Sequence, residues 1–146
     1  MATTDAKTSQ PIYHGAPRAG LKNVGSYQVS GWPYVTGAIL AAGTVATVSF
    51  PYVTKKVTVI GSGSSTNDLR VFFGTSTANN YVLESHHYIS LDSHEDSVEF
   101  DVKCNKIYIQ APNAAAGFQL YASLTFITAS NMFTLTGSGV DSNGAQ

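Results

Sequence analysis

Hydrophobic and polar residues alternate with a period of two along much of the chain. In VEFDVKC, Val98, Phe100, Val102 and Cys104 fall on one side, and Glu99, Asp101 and Lys103 on the other. In GFQLYASLTFI, Phe118, Leu120, Ala122, Leu124 and Phe126 oppose Gln119, Tyr121, Ser123 and Thr125. Successive side chains of a strand point to opposite faces, so this alternation predicts half-buried β-structure, with Phe100 and Leu120 as facing core positions. KKVTVIG, DLRVFFG and NKIYIQAP carry shorter versions, which add Val57, Val59, Leu69, Val71, Phe73, Ile107 and Ile109 to the expected core.

Turn-forming segments punctuate these runs: GSGSSTND, GTSTANN, DSHEDS and PNAAAG. The pattern predicts strands near residues 26–30, 34–38, 45–50, 53–61, 68–74, 86–91, 96–104 and 106–111, a long one near 117–127 and a short one near 132–135. Strands recurring at such short intervals imply an all-β antiparallel sandwich rather than βαβ units, and about eight strands is what a jelly roll needs. GAILAAGTVAT is the only stretch that would tolerate a helix; its flanking glycines and missing capping box make it a loop or a strand pair. No repeat of the length that builds propellers or solenoids is visible.

The periodic region spans residues 25–136. Before it, residues 1–24 lack periodicity and hold only Ile12, Tyr13 and Leu21 as bulky apolar side chains; they are expected to be an extended arm, either a leader or a segment ordered by docking on a partner. After it, residues 137–146 are polar and glycine-rich, as in a flexible tail.

Composition narrows the function. The 146 residues fit one domain. Charged residues are only 12% of the chain, against roughly 25% in ordinary soluble domains, so Ser, Thr, Asn, Gln and Tyr must cover the surface. A net charge of −1 supplies no basic field for nucleic acid and no polybasic patch for a membrane. Cys104 is alone, so there is no disulfide framework or thiolate zinc set, and it is expected as a small core or strand-end residue. The first residues lack the apolar core of a signal peptide, and no run of about 20 apolar residues occurs. The expectation is synthesis in a cytoplasm without export by that route.

The densest chemistry lies in ESHHYISLDSHEDSVEFDV, which holds three of the four histidines. On a strand, His86 and His87 diverge and cannot share a metal. DSHEDS favours local side-chain-to-backbone bonds, so a hairpin with a charged tip is the expectation; a divalent cation on Asp92, Glu95 and Asp96 is the weaker alternative, because regular calcium-loop spacing is absent. No nucleophile elbow, zinc-protease motif or P-loop occurs, and GSGSS lacks the lysine of a phosphate cradle. No catalytic residue, metal ligand or cofactor is therefore assigned, and the protein is expected not to be an enzyme. SGWPYVTG offers Trp32 and Tyr34 instead. Pro33 holds Trp32 extended, where it either caps an open end of the sandwich or contacts another subunit or a sugar ring. Lys55, Lys56, Lys103 and Lys106 are expected to blunt strand edges.

Three stretches, VGSYQVSGWPYVTG, HHYISLDSHEDSVEFDVKCNKIYIQ and YASLTFITASNMFTLTGSG, resemble small jelly-roll structural proteins of double-stranded DNA viruses, chiefly tailed phages, that decorate or cement the capsid. The resemblance implies a homo-oligomeric virion component, often trimeric, whose partners are itself and the major capsid protein or other virion proteins. It carries over no catalytic residue. Ile12, Tyr13, Leu21, Trp32 and Tyr34 are the residues expected at assembly interfaces. A receptor- or glycan-binding module of a fibre or tail would use the same sandwich with loop aromatics as ligands, and is the competing expectation.

Overall fold

In a computed structural model, described for residues 19–62, 68–74 and 87–135, the expected all-β sandwich is present. Its strands are β1 (Pro33–Leu40), β2 (Thr44–Ser49), β3 (Tyr52–Ser62), β4 (Leu69–Phe72), β5 (Ile89–Leu91), β6 (Ser97–Phe100), β7 (Lys106–Ala111) and β8 (Ala116–Thr128). They form two four-stranded antiparallel sheets, ordered β1-β8-β3-β6 and β2-β7-β4-β5. The pairing is nested: β1 with β8, β2 with β7, β3 with β6, β4 with β5. A chain doubled back as one long hairpin and then rolled into two sheets gives this order, which is that of a jelly roll. GAILAAGTVAT accordingly forms the end of β1, a turn at Gly43 (φ 77°) and the start of β2.

The alternating residues meet between the sheets. Val53, Val57, Val59, Leu69, Val71, Ile107, Ile109, Leu120, Ala122 and Leu124 are all buried there. In one row, Leu120 lies opposite Val59, and Val59 opposite Val98. Phe100 is half-buried against this core and meets Phe73 edge to face, ring centres 5.0 Å apart.

Four sequence expectations are corrected. Residues 26–30 are not a strand: Gly25–Gln28 form a single helical turn, α1, because the Asn23 side chain accepts the Gly25 N–H at 3.0 Å and folds the chain back. Residues 132–135 are not a strand either; a 3-10 turn at Ala129–Asn131 ends β8, and Met132 and Leu135 still bury their side chains. The strand expected at 96–104 stops at Phe100, since residues 101–105 cross from one sheet to the other. Phe126, expected in the core, is exposed.

The exposure of Phe126 has its cause in the pairing of β3 with β8. Between the pairs Tyr52↔Thr128 and Thr54↔Leu124, β8 carries two more residues than β3; between Thr54↔Leu124 and Lys56↔Ser123, β3 carries one more. These bulges invert the alternation, so Ile127 points inward and Phe126 outward. Backbone groups at the bulge and in the 101–105 crossover are satisfied by two fully buried threonines. Thr125 Oγ1 donates to the Val53 carbonyl at 2.7 Å and accepts the Ile127 N–H at 3.1 Å. Thr54 Oγ1 donates to the Val102 carbonyl at 2.8 Å and accepts the Cys104 N–H at 3.0 Å. Cys104 Sγ also lies 3.3 Å from Thr54 Oγ1. Burial pushes the Cys104 thiol up to about 11, partly offset by its hydrogen bonds to Thr54 and the Lys106 backbone. Cys104 is thus the structural core residue its sequence setting suggested.

Candidate assembly surface

The acidic turn between β5 and β6 folds onto itself. Asp96 accepts the Asp92 and Ser93 N–H groups at 3.1 and 2.9 Å through one carboxylate oxygen. Glu95 adopts a left-handed backbone, φ 66°, and its N–H reaches the Gly61 carbonyl at 2.9 Å, while Gly61 N–H returns to the Asp96 carbonyl at 2.8 Å. His94 Nε2 lies 3.2 Å from the Glu95 carboxylate. Asp96 therefore organises the turn and pins it to β3. Among the described residues, no three His, Cys, Asp or Glu side chains are grouped to hold a metal ion. His86 lies outside the described residues.

Among the described residues, exposed apolar side chains stand beside α1 (Val24, Val29), on β5 (Ile89) and in a row on the outer face of the β1-β8-β3-β6 sheet. β1 reads PYVTGAIL, without a charge. Its outward residues Val35 and Ile39 are 75% and 85% exposed. Val35 lies opposite Tyr121 on β8, itself 44% exposed. Between them a shallow groove of about 470 Å³ runs over Gly37, walled by Val35, Ile60, Gln119 and Tyr121. Gly37 has no room for a side chain, because a Cβ there would stand 2.7 Å from the Phe118 carbonyl oxygen.

An aromatic cluster continues this surface past the start of β1. Trp32, 51% exposed, stacks on Tyr52 with ring centres 6.4 Å apart and meets Phe126 edge-on at 5.8 Å. Phe126 is 45% exposed, presented by the bulge that turns it outward. The Trp32 carbonyl accepts the Leu124 N–H at 2.8 Å, fixing the ring's base to β8. A Cβ on Gly31 would collide with the Leu124 carbonyl, so only glycine lets the chain pass so close before Trp32.

The sequence-selected residues thus fare differently. Trp32 is on this surface. Tyr34 is half-buried on the inner side, edge to face with Phe50 at 5.2 Å. Leu21 packs against the core, and its carbonyl accepts Tyr27 Oη at 2.8 Å and Lys103 Nζ at 3.3 Å, so it is engaged within this chain. Burial raises the Tyr27 hydroxyl above its ordinary value. Ile12 and Tyr13 lie outside the described residues, as does the tail 137–146. Lys103 is spent on Leu21 and Lys56 on Glu99, at 3.2 Å, rather than standing free at an edge.

Val35, Ile39, Tyr121 and Phe126 were not singled out by sequence reasoning. A signal existed for β1: Tyr34 and Leu40 are apolar on one face and Val35 and Ile39 on the other, a strand written for cover on both sides. Phe126 had none, because the bulge is set by pairing.

No protein-family model and no curated protein matches the chain. Among solved structures, it is similar to the cupin domain of an XRE family transcriptional regulator from Enterobacter cloacae, at 16% identity and TM-score 0.38, covering 62% of this chain and 80% of that one. It is also similar to a Bacillus endospore appendage protein from a family of disulfide-linked pili, at 15% identity and TM-score 0.30, covering 66% of this chain and 94% of that one. Neither likeness bears on function.

Proposed function

We propose that the protein is a non-enzymatic, self-associating structural subunit that decorates or cements a viral capsid shell, mounted on the virion surface through other virion proteins. The carrying observation is the exposed apolar row Val35, Ile39 and Tyr121 on a sheet whose strand β1 bears no charge. An exposed apolar row of this kind marks an interaction face rather than a solvated one. The titratable cluster, by contrast, is consumed in shaping a turn. The resemblance of three sequence stretches to phage decoration proteins supplies the setting. Stability gained by assembly needs no catalytic group.

The test is co-sedimentation of purified protein with capsid shells lacking it. Saturable binding at fixed stoichiometry supports the reading, and no binding to any cognate shell overturns it. Deleting residues 1–18 should weaken attachment, with a smaller loss for Tyr13→Ala, if the arm contributes a contact. Chelation should leave the thermal midpoint unchanged. One observation favours a second reading, as a glycan-binding fibre or tail module: the exposed Trp32 ring, held by Tyr52 and Phe126, is a platform on which a sugar could stack. Glycan binding by the free protein, abolished by Trp32→Ala and unaccompanied by shell binding, would favour it.

A further inference from the structure

β1 is an outermost strand, and among the described residues no strand pairs with its far side. The Leu124 N–H to Trp32 carbonyl bond fixes which backbone groups are spare. With Pro33 opposite Ser123, Trp32 lies opposite Leu124, so Trp32 and every second residue after it (Tyr34, Thr36, Ala38, Leu40) face β8. Pro33, Val35, Gly37 and Ile39 therefore turn their N–H and carbonyl groups to the open side. Pro33 sits where its missing N–H costs no ladder bond.

We propose that this open edge joins two copies of the chain, β1 against β1, antiparallel about a two-fold axis at Gly37, so that the two four-stranded sheets become one continuous sheet.

The strand is self-complementary in that register. Val35 of one copy lies opposite Ile39 of the other, Gly37 opposite Gly37, and Thr36 opposite Ala38. The three spare pairs of backbone groups then all bond, because residues 35, 37 and 39 occupy hydrogen-bonded positions together. Apolar outward pairs meet on both sides of the axis, and no like charges face each other because the strand carries none. An isologous contact of this kind closes on itself. The other outer strands fit less well. β5 spans only Ile89–Leu91, β6 carries Glu99, and β2 presents Thr44, Thr47 and Ser49 with no large exposed apolar side chain. The inference rests on the self-association in the reading above and not on the capsid.

Sedimentation equilibrium of the full chain should give twice the 15.4 kDa chain mass. Val35→Lys with Ile39→Lys should halve that mass, with unchanged far-ultraviolet circular dichroism and thermal midpoint at a concentration where both proteins are monomers. The register is read separately by Val35→Cys with Ile39→Cys, which should form a dimer cross-link under mild oxidation, whereas either cysteine alone should not. Cys104, fully buried, supplies no competing thiol. Three results would overturn the inference: a monomeric full-length protein, a dimer that survives the folded double-lysine variant, or single cysteines that cross-link as fast as the pair. A monomer that dimerises only after deletion of residues 1–18 would assign the edge to the chain's own arm, and a monomer that binds shells would assign it to a shell protein. A register-linked dimer that ignores shells would retain this inference and sink the capsid reading.

Discussion

β1 and β6 close the same sheet at opposite sides, and they meet water with different chemistry. β1 is eight residues long, carries no charge and exposes Val35 and Ile39. β6 is four residues long, and Glu99 and the following Asp101 lie 3.2 and 3.8 Å from the Lys56 ammonium on neighbouring β3. A short strand ringed by charges resists a new neighbour, because pairing would strip water from the ions; a long uncharged one invites it. One sheet thus has a guarded edge and an open edge, and association through the open one alone ends at a closed pair.

The comparison can be broken at its centre, and that should have the largest effect. Leu120 lies on β8, which carries β1 on one flank and β3, with β6 beyond it, on the other. Leu120→Ala should cost about 2–5 kcal/mol in urea unfolding and loosen both edges together; a cost under about 0.5 kcal/mol would place Leu120 on the wrong face. Thr54→Val should cost about 1–3 kcal/mol by leaving the Cys104 N–H and Val102 carbonyl unpaired. Hydrogen exchange should then quicken in residues 97–104 more than in 33–40, so equal acceleration would show the edges are not independently held.

Making the guarded edge resemble the open one sharpens the contrast. Glu99→Val with Asp101→Val should change stability by within about 0.5 kcal/mol, as surface substitutions do. It should nevertheless turn a closed dimer into polymers whose light scattering grows with concentration; a mass fixed at the dimer would mean the charges guard nothing. The smallest effect is on Lys56, whose ammonium is raised above its usual 10.5 by its hydrogen bond to Glu99 and by the Glu99 and Asp101 charges. A raised lysine contributes stability fully below its unfolded value and loses it as pH climbs through the folded one. The difference in melting temperature between the protein and Glu99→Gln should therefore be small, present in full at neutral pH, and fall away only as pH rises beyond 10.5 through the raised value.

The sandwich was legible wherever alternation ran unbroken. From Val57 onward, β3, with the first nine residues of β8, buries the side chains the pattern assigned. It failed where tertiary pairing overrode local phase. Nothing in LTFIT announces two additional residues opposite β3, and Thr125 and Phe126 exchange roles because of them. α1 is one turn, too short for a period to show, and rests on a single Asn23 contact. For the surface, Trp32 was legible because Pro33 constrains it. Val35 and Ile39 were hidden: an apolar strand reads alike at the middle of a sheet and at its rim, and only the strand order distinguishes the two.

That strand order also sets the schedule on which the protein can be made. Among the described residues β8 is the last strand in sequence, yet it lies between β1 and β3; Pro33 waits for Ser123, ninety residues later. Until β8 leaves the ribosome, β1 lacks its partner among the described strands and β3 has only β6 of its two. Closing such long loops comes before any reward from contact, which makes folding slow and leaves apolar strands open to wrong neighbours meanwhile. The newborn chain therefore remains dependent on its final strand. A ribosome stalled after residue 40 and before residue 116 would present an unfinished sheet with its uncharged, apolar strand β1 uncovered on both flanks.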